Sequence, residues 1–229
     1  MITIVREPEP SSYEGIYDVP EVARYIKATI HAELARSVSS AKLIRWIRRG
    51  VASHDLVDVP GTELLIAFED LISMRVITAL RASGVKWSEI DRTEEWLRDA
   101  TRHERPFATE YLWTGQGEIF VDWTERLLSA SRDGQLALEL LKDYLIPVHG
   151  LVFSEKTKVA ALWEPMAGIV LEPQVQFGSP CLKGTRIPAR TVAGMVEAGD
   201  AVEWVAQSYG LTRDEVKAAC DWEARVLSR

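Results

Sequence analysis

Apolar residues spaced three and four apart, broken by short alternating runs, divide the chain into helical stretches at both ends and a mixed middle. Asp18, Val19, Pro20 and Glu21 open the first helix. Asp18 can cap, Pro20 has no amide to lose in the first turn, and Glu21 stands at the capping-box position. Val22, Ala23, Tyr25 and Ile26 supply its apolar face, and Ile30, Leu34 and Val38 extend the helical spacing over 28–38. Ser39 and Ser40 cap the next helix, over 41–49, which Gly50 closes. Here Leu43, Ile44, Trp46 and Ile47 turn inward, while Lys42, Arg45 and Arg49 share the opposite face. The period then shortens: residues 56–59 and 64–66 read as two strands around Pro60 and Gly61.

Two further amphipathic helices follow, over 69–83 with Gly84 as stop and over 87–102. The stretch 107–123 reads as a hairpin and 124–145 as helical, broken near Gly134. Apolar runs at 151–153, 159–162 and 169–171, separated by polar turns, predict a small antiparallel sheet. Three helices close the chain, over 189–198, 201–209 and 212–227, with Thr212 and Glu215 as a capping box on the last. The expected class is α+β, mainly α with small β elements. The expected domains are 1–105, a winged helix-turn-helix; 106–171, linking helices and a small sheet; and 172–229, a three-helix module.

Composition narrows the function classes. The 229 residues carry a net charge of −7, which as a global field repels nucleic acid. Between Arg24 and His54, however, Arg24, Lys27, Arg36, Lys42, Arg45, Arg48 and Arg49 face one acid, Glu33, so that segment is +6. Charges beyond about 10 Å are largely screened at physiological salt, so a local patch can bind where the whole would not. The four histidines show no ligand spacing and the two cysteines, Cys181 and Cys220, make no metal or disulfide framework. No signal peptide or membrane span is legible, so a cytoplasmic protein without membrane partners is expected.

Enzymatic chemistry finds little purchase. Glu94 with Glu95, Glu63 with Asp70, and Asp221 with Glu223 are carboxylate pairs, but each sits in a run that reads as solvated helix. Gly115 and Gly117 are too close for a dinucleotide fingerprint. Cys181 has no histidine that can be paired with it. The expectation is a non-enzyme without cofactor or metal.

A capped helix, a basic second helix and a hairpin compose winged-helix grammar. The second helix would enter the major groove with Lys42 and Arg45 near base edges and Arg48 and Arg49 near phosphates. Arg24 and Ser40 complete the expected DNA-binding set. The segments 19–24, 43–50 and 68–84 resemble the MerR-type winged-helix domain, with about ten extra residues, 28–38, between the first two helices.

The segment Gly178, Ser179, Pro180, Cys181, Leu182, Lys183, Gly184, Thr185, Arg186, Ile187, Pro188, with the helices after it, closely resembles domain of unknown function family 433 over 163–227. Gly178, Pro180, Gly184, Thr185, Arg186 and Ile187 carry the motif. Together the two halves resemble VapB-type antitoxins of toxin–antitoxin pairs. That resemblance implies a PIN-type VapC ribonuclease as protein partner, operator DNA as second partner, and a homodimer or a hetero-oligomer with the toxin. Such nucleases gather carboxylates around a metal ion, which a bidentate arginine could occupy. Arg186, Arg225 or Arg229 are the candidates, with Trp222 on the apolar face of the last helix. For Arg186 a structural pairing with an acid across the turn is the other reading. The competing function is a MerR-like regulator sensing a small ligand among Trp113, Phe120, Trp123 and Trp163. The last helix, net −1 over 213–225, is a poor phosphate partner, which leaves DNA to the N-terminal half.

Overall fold

In a computed structural model, the described residues are 15–30, 35–36, 38–50, 64–82, 85–110 and 150–228. Strand β1 (Ile16–Asp18) leads directly into α1 (Val19–Thr29), whose start is the expected capping box: Asp18 Oδ1 accepts from Glu21 N and Glu21 Oε2 accepts from Asp18 N. This helix ends at Thr29, and of the stretch 28–38 expected to continue it, 31–34 and 37 lie outside the described residues. The Thr29 hydroxyl folds back onto the Tyr25 and Ile26 carbonyls, and Ile30 is extended. Helix α2 (Ser40–Ile47) follows, with Ser39 Oγ accepting from Lys42 N.

Strand β2 (Leu65–Ala67) pairs antiparallel with β1, a partner the sequence pattern did not reveal. The other half of the expected 56–66 hairpin lies outside the described residues, as do Gly84, the 107–123 hairpin beyond Glu110 and the 124–145 helix. Helices α3 (Phe68–Ala82) and α4 (Trp87–Thr101) match their expected spans to within a residue. A single 3-10 turn, Pro106–Ala108, then packs against both.

The C-terminal part is a four-stranded antiparallel sheet in the order β3 (Leu151–Phe153), β4 (Ala160–Met166), β5 (Ile169–Leu171), β6 (Cys181–Leu182). Helices α5 (Ala189–Glu197), α6 (Val202–Tyr209) and α7 (Arg213–Leu227) complete it. The α+β class is as expected. The boundary placed at 171/172 falls inside this sheet, because β5 on one side pairs with β6 on the other.

The core is continuous from α1 to α7. Helix α1 packs on both α2 and α7. Tyr17 donates its hydroxyl to the Gly178 carbonyl (3.0 Å), and the Tyr25 ring lies 5.9 Å from that of Trp222. Trp222 is 0% exposed, and Val216, Ala219 and Val226 are buried with it against α5, α6 and α1. The broad apolar face of the last helix, expected to receive a partner, is therefore consumed within the chain. Trp222, expected as a toxin contact, is a core residue with no surface exposed in this fold.

Gly178 is fixed by this seam. Its φ is +86°, and a Cβ there would be driven into the Tyr17 hydroxyl. Gly184 also has positive φ (+76°) but nothing lies within 4 Å of a built Cβ. Denaturant unfolding should separate the two. Gly184→Ala is expected to cost about 1 kcal/mol for the backbone alone. Gly178→Ala should cost roughly 3 kcal/mol or more, because overpacking and a displaced buried hydrogen bond add to it.

Candidate nucleic-acid interface and partner-facing surface

Helix α2 presents its basic face as the spacing predicts. Leu43 and Trp46 are buried, whereas Lys42, Arg45, Arg48 and Arg49 are exposed. Ser40, half-buried, is the first helical residue after the Ser39 cap. Arg24 stands apart from this group. It is half-buried on α1, and burial pushes the Glu223 carboxyl of α7 up against the opposing pull of the Arg190 and Arg24 guanidiniums. Its charge acts at the α1–α7 seam.

Three residues from the following helices belong to the same cleft. Lys42, Arg45 and Trp46 of α2 and Arg49 in the turn after it face Arg81 and Ala82 of α3 and Trp87 of α4 around a cavity of about 270 Å³. The Arg49 and Arg81 guanidinium carbons lie 4.9 and 5.1 Å from the Trp87 ring centroid. Trp46 meets Trp87 edge-to-face at 5.4 Å. Sequence reading passed over Arg81 because a lone arginine in a last helical turn is ordinary. Its spatial neighbour, Trp87, is six positions on and in another helix.

The C-terminal motif is mostly architecture. Pro180 O accepts from Ala189 N (2.9 Å), launching α5. Thr185 Oγ1 donates to Leu182 O (2.9 Å) and accepts from Ile187 N (3.0 Å), closing the turn around Gly184. Ile187, half-buried, packs against the core. The cation that pairs across this region is Lys183, with Nζ 2.7 Å from Glu164 Oε2. The acid-pairing role weighed for Arg186 thus falls to Lys183, and Arg186 is exposed. Its carbonyl accepts from Gln176 Nε2 (3.1 Å), which ties it to the segment carrying Phe177. Phe177 is 74% exposed with φ +55°, a left-handed conformation that costs a bulky residue about 1–2 kcal/mol. Arg225 is exposed on α7, and Arg229 lies outside the described residues.

The carboxylates read as solvated include two that are not. Asp70 is 0% exposed and takes an ion pair at 2.5 Å from Arg105 Nε. The Glu94 side chain is 12% exposed, with Arg98 Nη2 at 3.2 Å. Burial pushes its carboxyl up to about 7, the Arg98 and Arg105 charges opposing and Asp91 and Asp70 assisting. These groups bind the 3-10 turn to α3 and α4. A wholly buried Asp70 offers no access to a substrate. Burial also pushes the Cys181 thiol up to about 11, far from a neutral-pH nucleophile. Trp163, one of the four aromatics of the ligand-sensing reading, is buried with the Arg75 guanidinium 5.3 Å from its ring centroid. Trp113, Phe120 and Trp123 lie outside the described residues.

Residues 169–222 match a family described as a protein of unknown function (DUF433). The chain is 25% identical over 178 residues to a Mycobacterium tuberculosis protein named "Putative antitoxin VapB45", covering 70% of this chain and 72% of that one. The crystal structure of Rv2018 from Mycobacterium tuberculosis superposes with a TM-score of 0.67 at 23% identity, over 90% of this chain and 96% of that one, a likeness of fold. No helix among the described residues is long and apolar enough to cross a membrane.

The raised Glu94 carboxyl has a stability signature. A carboxyl whose folded pKa exceeds its unfolded value favours folding when protonated, and that contribution disappears as pH rises through about 7. Glu94→Gln is therefore expected to match the parent in unfolding free energy near pH 5. Near pH 8 it should exceed the parent by on the order of 1–3 kcal/mol, read from denaturant titrations at both pH values.

Proposed function

We propose that the chain is a cytoplasmic antitoxin that binds and neutralises a PIN-type VapC ribonuclease and represses its own operon through α2. The observation that carries this reading is the partition of charge on one rigid core. A +6 segment with four exposed cations on α2 and the turn that ends it sits in a protein of net charge −7, joined through α1 to a module whose last helix is acidic. Similarity to a protein named as an antitoxin, reaching over 178 residues, supports the biological setting.

Lys42 and Arg45 address base edges, and Arg48 and Arg49 the phosphates. The toxin meets exposed groups of the C-terminal module. Arg186 is the leading cation, with Phe177 bound to it through Gln176, and Arg225 a second. An arginine that reaches the nuclease takes its metal-binding carboxylates bidentately. A homodimer supplies two copies of α2 for a two-fold operator.

Co-expression with the adjacent reading frame tests the protein partner. A stable complex and restored growth are expected, and a toxic neighbour left active would sink the antitoxin reading. Replacing Lys42, Arg45, Arg48 and Arg49 with alanine should abolish binding to the intergenic duplex upstream of the gene. Binding that keeps its affinity and salt dependence in that variant excludes α2 as the DNA reader.

A further inference from the structure

We propose that Arg49 and Arg81, both stacked on Trp87, form a receptor for one phosphate of the DNA backbone at the edge of α2, an inference that rests on the DNA-binding reading above.

The cavity between α2, α3 and α4 draws four cations, Lys42, Arg45, Arg49 and Arg81, into about 270 Å³ with no carboxylate among the described residues of its lining. At 4.9 and 5.1 Å, the two guanidiniums on Trp87 lie within cation–π range of the indole. Contacts of this kind engage the π-face of a guanidinium and leave its N–H groups available in the plane. Arg81 is further fixed by Nη1 donating to the Val85 carbonyl at 2.5 Å, and Trp87 by its edge-to-face contact with Trp46. The ordering that a long side chain loses on binding has already occurred in the folded protein, so the site is preorganised.

The chemistry selects a phosphate. A tetrahedral oxyanion offers several acceptors to a planar fork of donors, which is the geometry arginine meets best. Stacking of a base on Trp87 competes with the two guanidiniums already there. Asp91 stands at the rim, 3.7 Å from Arg49 Nη2. That pair is half-exposed on both sides, and such surface pairs hold weakly enough for a phosphate to replace them. Continuity with the exposed face of α2 makes the phosphate part of a duplex. Phosphate contacts fix register without reading sequence, so Arg81 would set how deeply Lys42 and Arg45 reach.

The test is fluorescence anisotropy of the full chain with the labelled upstream intergenic duplex and a scrambled duplex, across a salt series. Arg81→Gln keeps a donor for the Val85 carbonyl and removes the charge. It should weaken both duplexes by the same factor, roughly 3- to 10-fold, and make the slope of log K against log salt shallower by about 1. Arg81→Lys restores the slope but not the full affinity, because the planar fork is gone. Trp87→Leu lowers affinity with a near-parental slope, since both charges remain but are no longer held. Unchanged affinity and slope in Arg81→Gln, with Lys42→Ala/Arg45→Ala still weakened, overturns the phosphate receptor and leaves the DNA reading standing. If neither variant is weakened, or the parent binds neither duplex, both fall. Adenosine monophosphate displacing the duplex where inorganic phosphate at equal ionic strength does not would make the cavity a nucleotide site and overturn the proposal.

Discussion

The packing of α1 between α2 and α7 is the constraint on which the other features depend. Eleven residues in length, α1 buries Val19, Val22, Ala23, Tyr25, Ile26 and Ala28, more than half of itself. A helix apolar over so wide an arc cannot serve one neighbour alone. Tyr17 and Tyr25 make the second attachment specific, one by a buried hydrogen bond to Gly178 and the other by a ring contact with Trp222. Losing a buried tryptophan of this kind typically costs about 3–5 kcal/mol, comparable with the whole stability margin of a small domain. The basic helix and the C-terminal module are thus held in register by one element.

That register gives the charge partition its physical meaning. A net charge of −7 spread over a flexible chain would oppose any approach to phosphate. Grouped on α2 and the turn after it, these cations act on a nearby charge at short range, where screening is incomplete, and Asp91 stands among them 3.7 Å from Arg49. Some acids are withdrawn altogether. Asp70 is paired inside the core with Arg105, and burial pushes the Glu94 carboxyl up to about 7.

What could be read from the sequence was local. Both expected capping boxes are present, at Asp18–Glu21 and Thr212–Glu215, because each depends on residues three positions apart. The helix spans of α3 to α7 follow from 3.6-residue periodicity, and the Gly178–Pro188 turn from its own backbone bonds. What stayed hidden depends on distance. Asp70 looked solvated since Arg105 is 35 positions away, and Lys183, not Arg186, proved to hold the acid across the motif turn. The same limit hid Arg81 and the strand partner of β2.

Burial of the α7 apolar face reshapes the problem of partner recognition. A protein that docked on Val216, Ala219 and Trp222 would first have to strip α1 from them, exposing Tyr25 and breaking the seam that positions α2. Nothing gained at a typical interface of modest size offsets that loss together with the entropy of association. Recognition must therefore work with what the fold leaves outside: Phe177 at 74% exposure, Trp204 at 53%, Leu227 at 70%, and the guanidiniums of Arg186 and Arg225. Aromatic anchors flanked by arginines are the side chains that dominate binding energy at protein interfaces. Phe177 is the most informative of them, because its left-handed backbone carries a strain that core packing does not explain. Gly178 beside it is held by the Tyr17 hydroxyl. The seam that holds α1, and through it α2, thus lies one residue from the exposed Phe177.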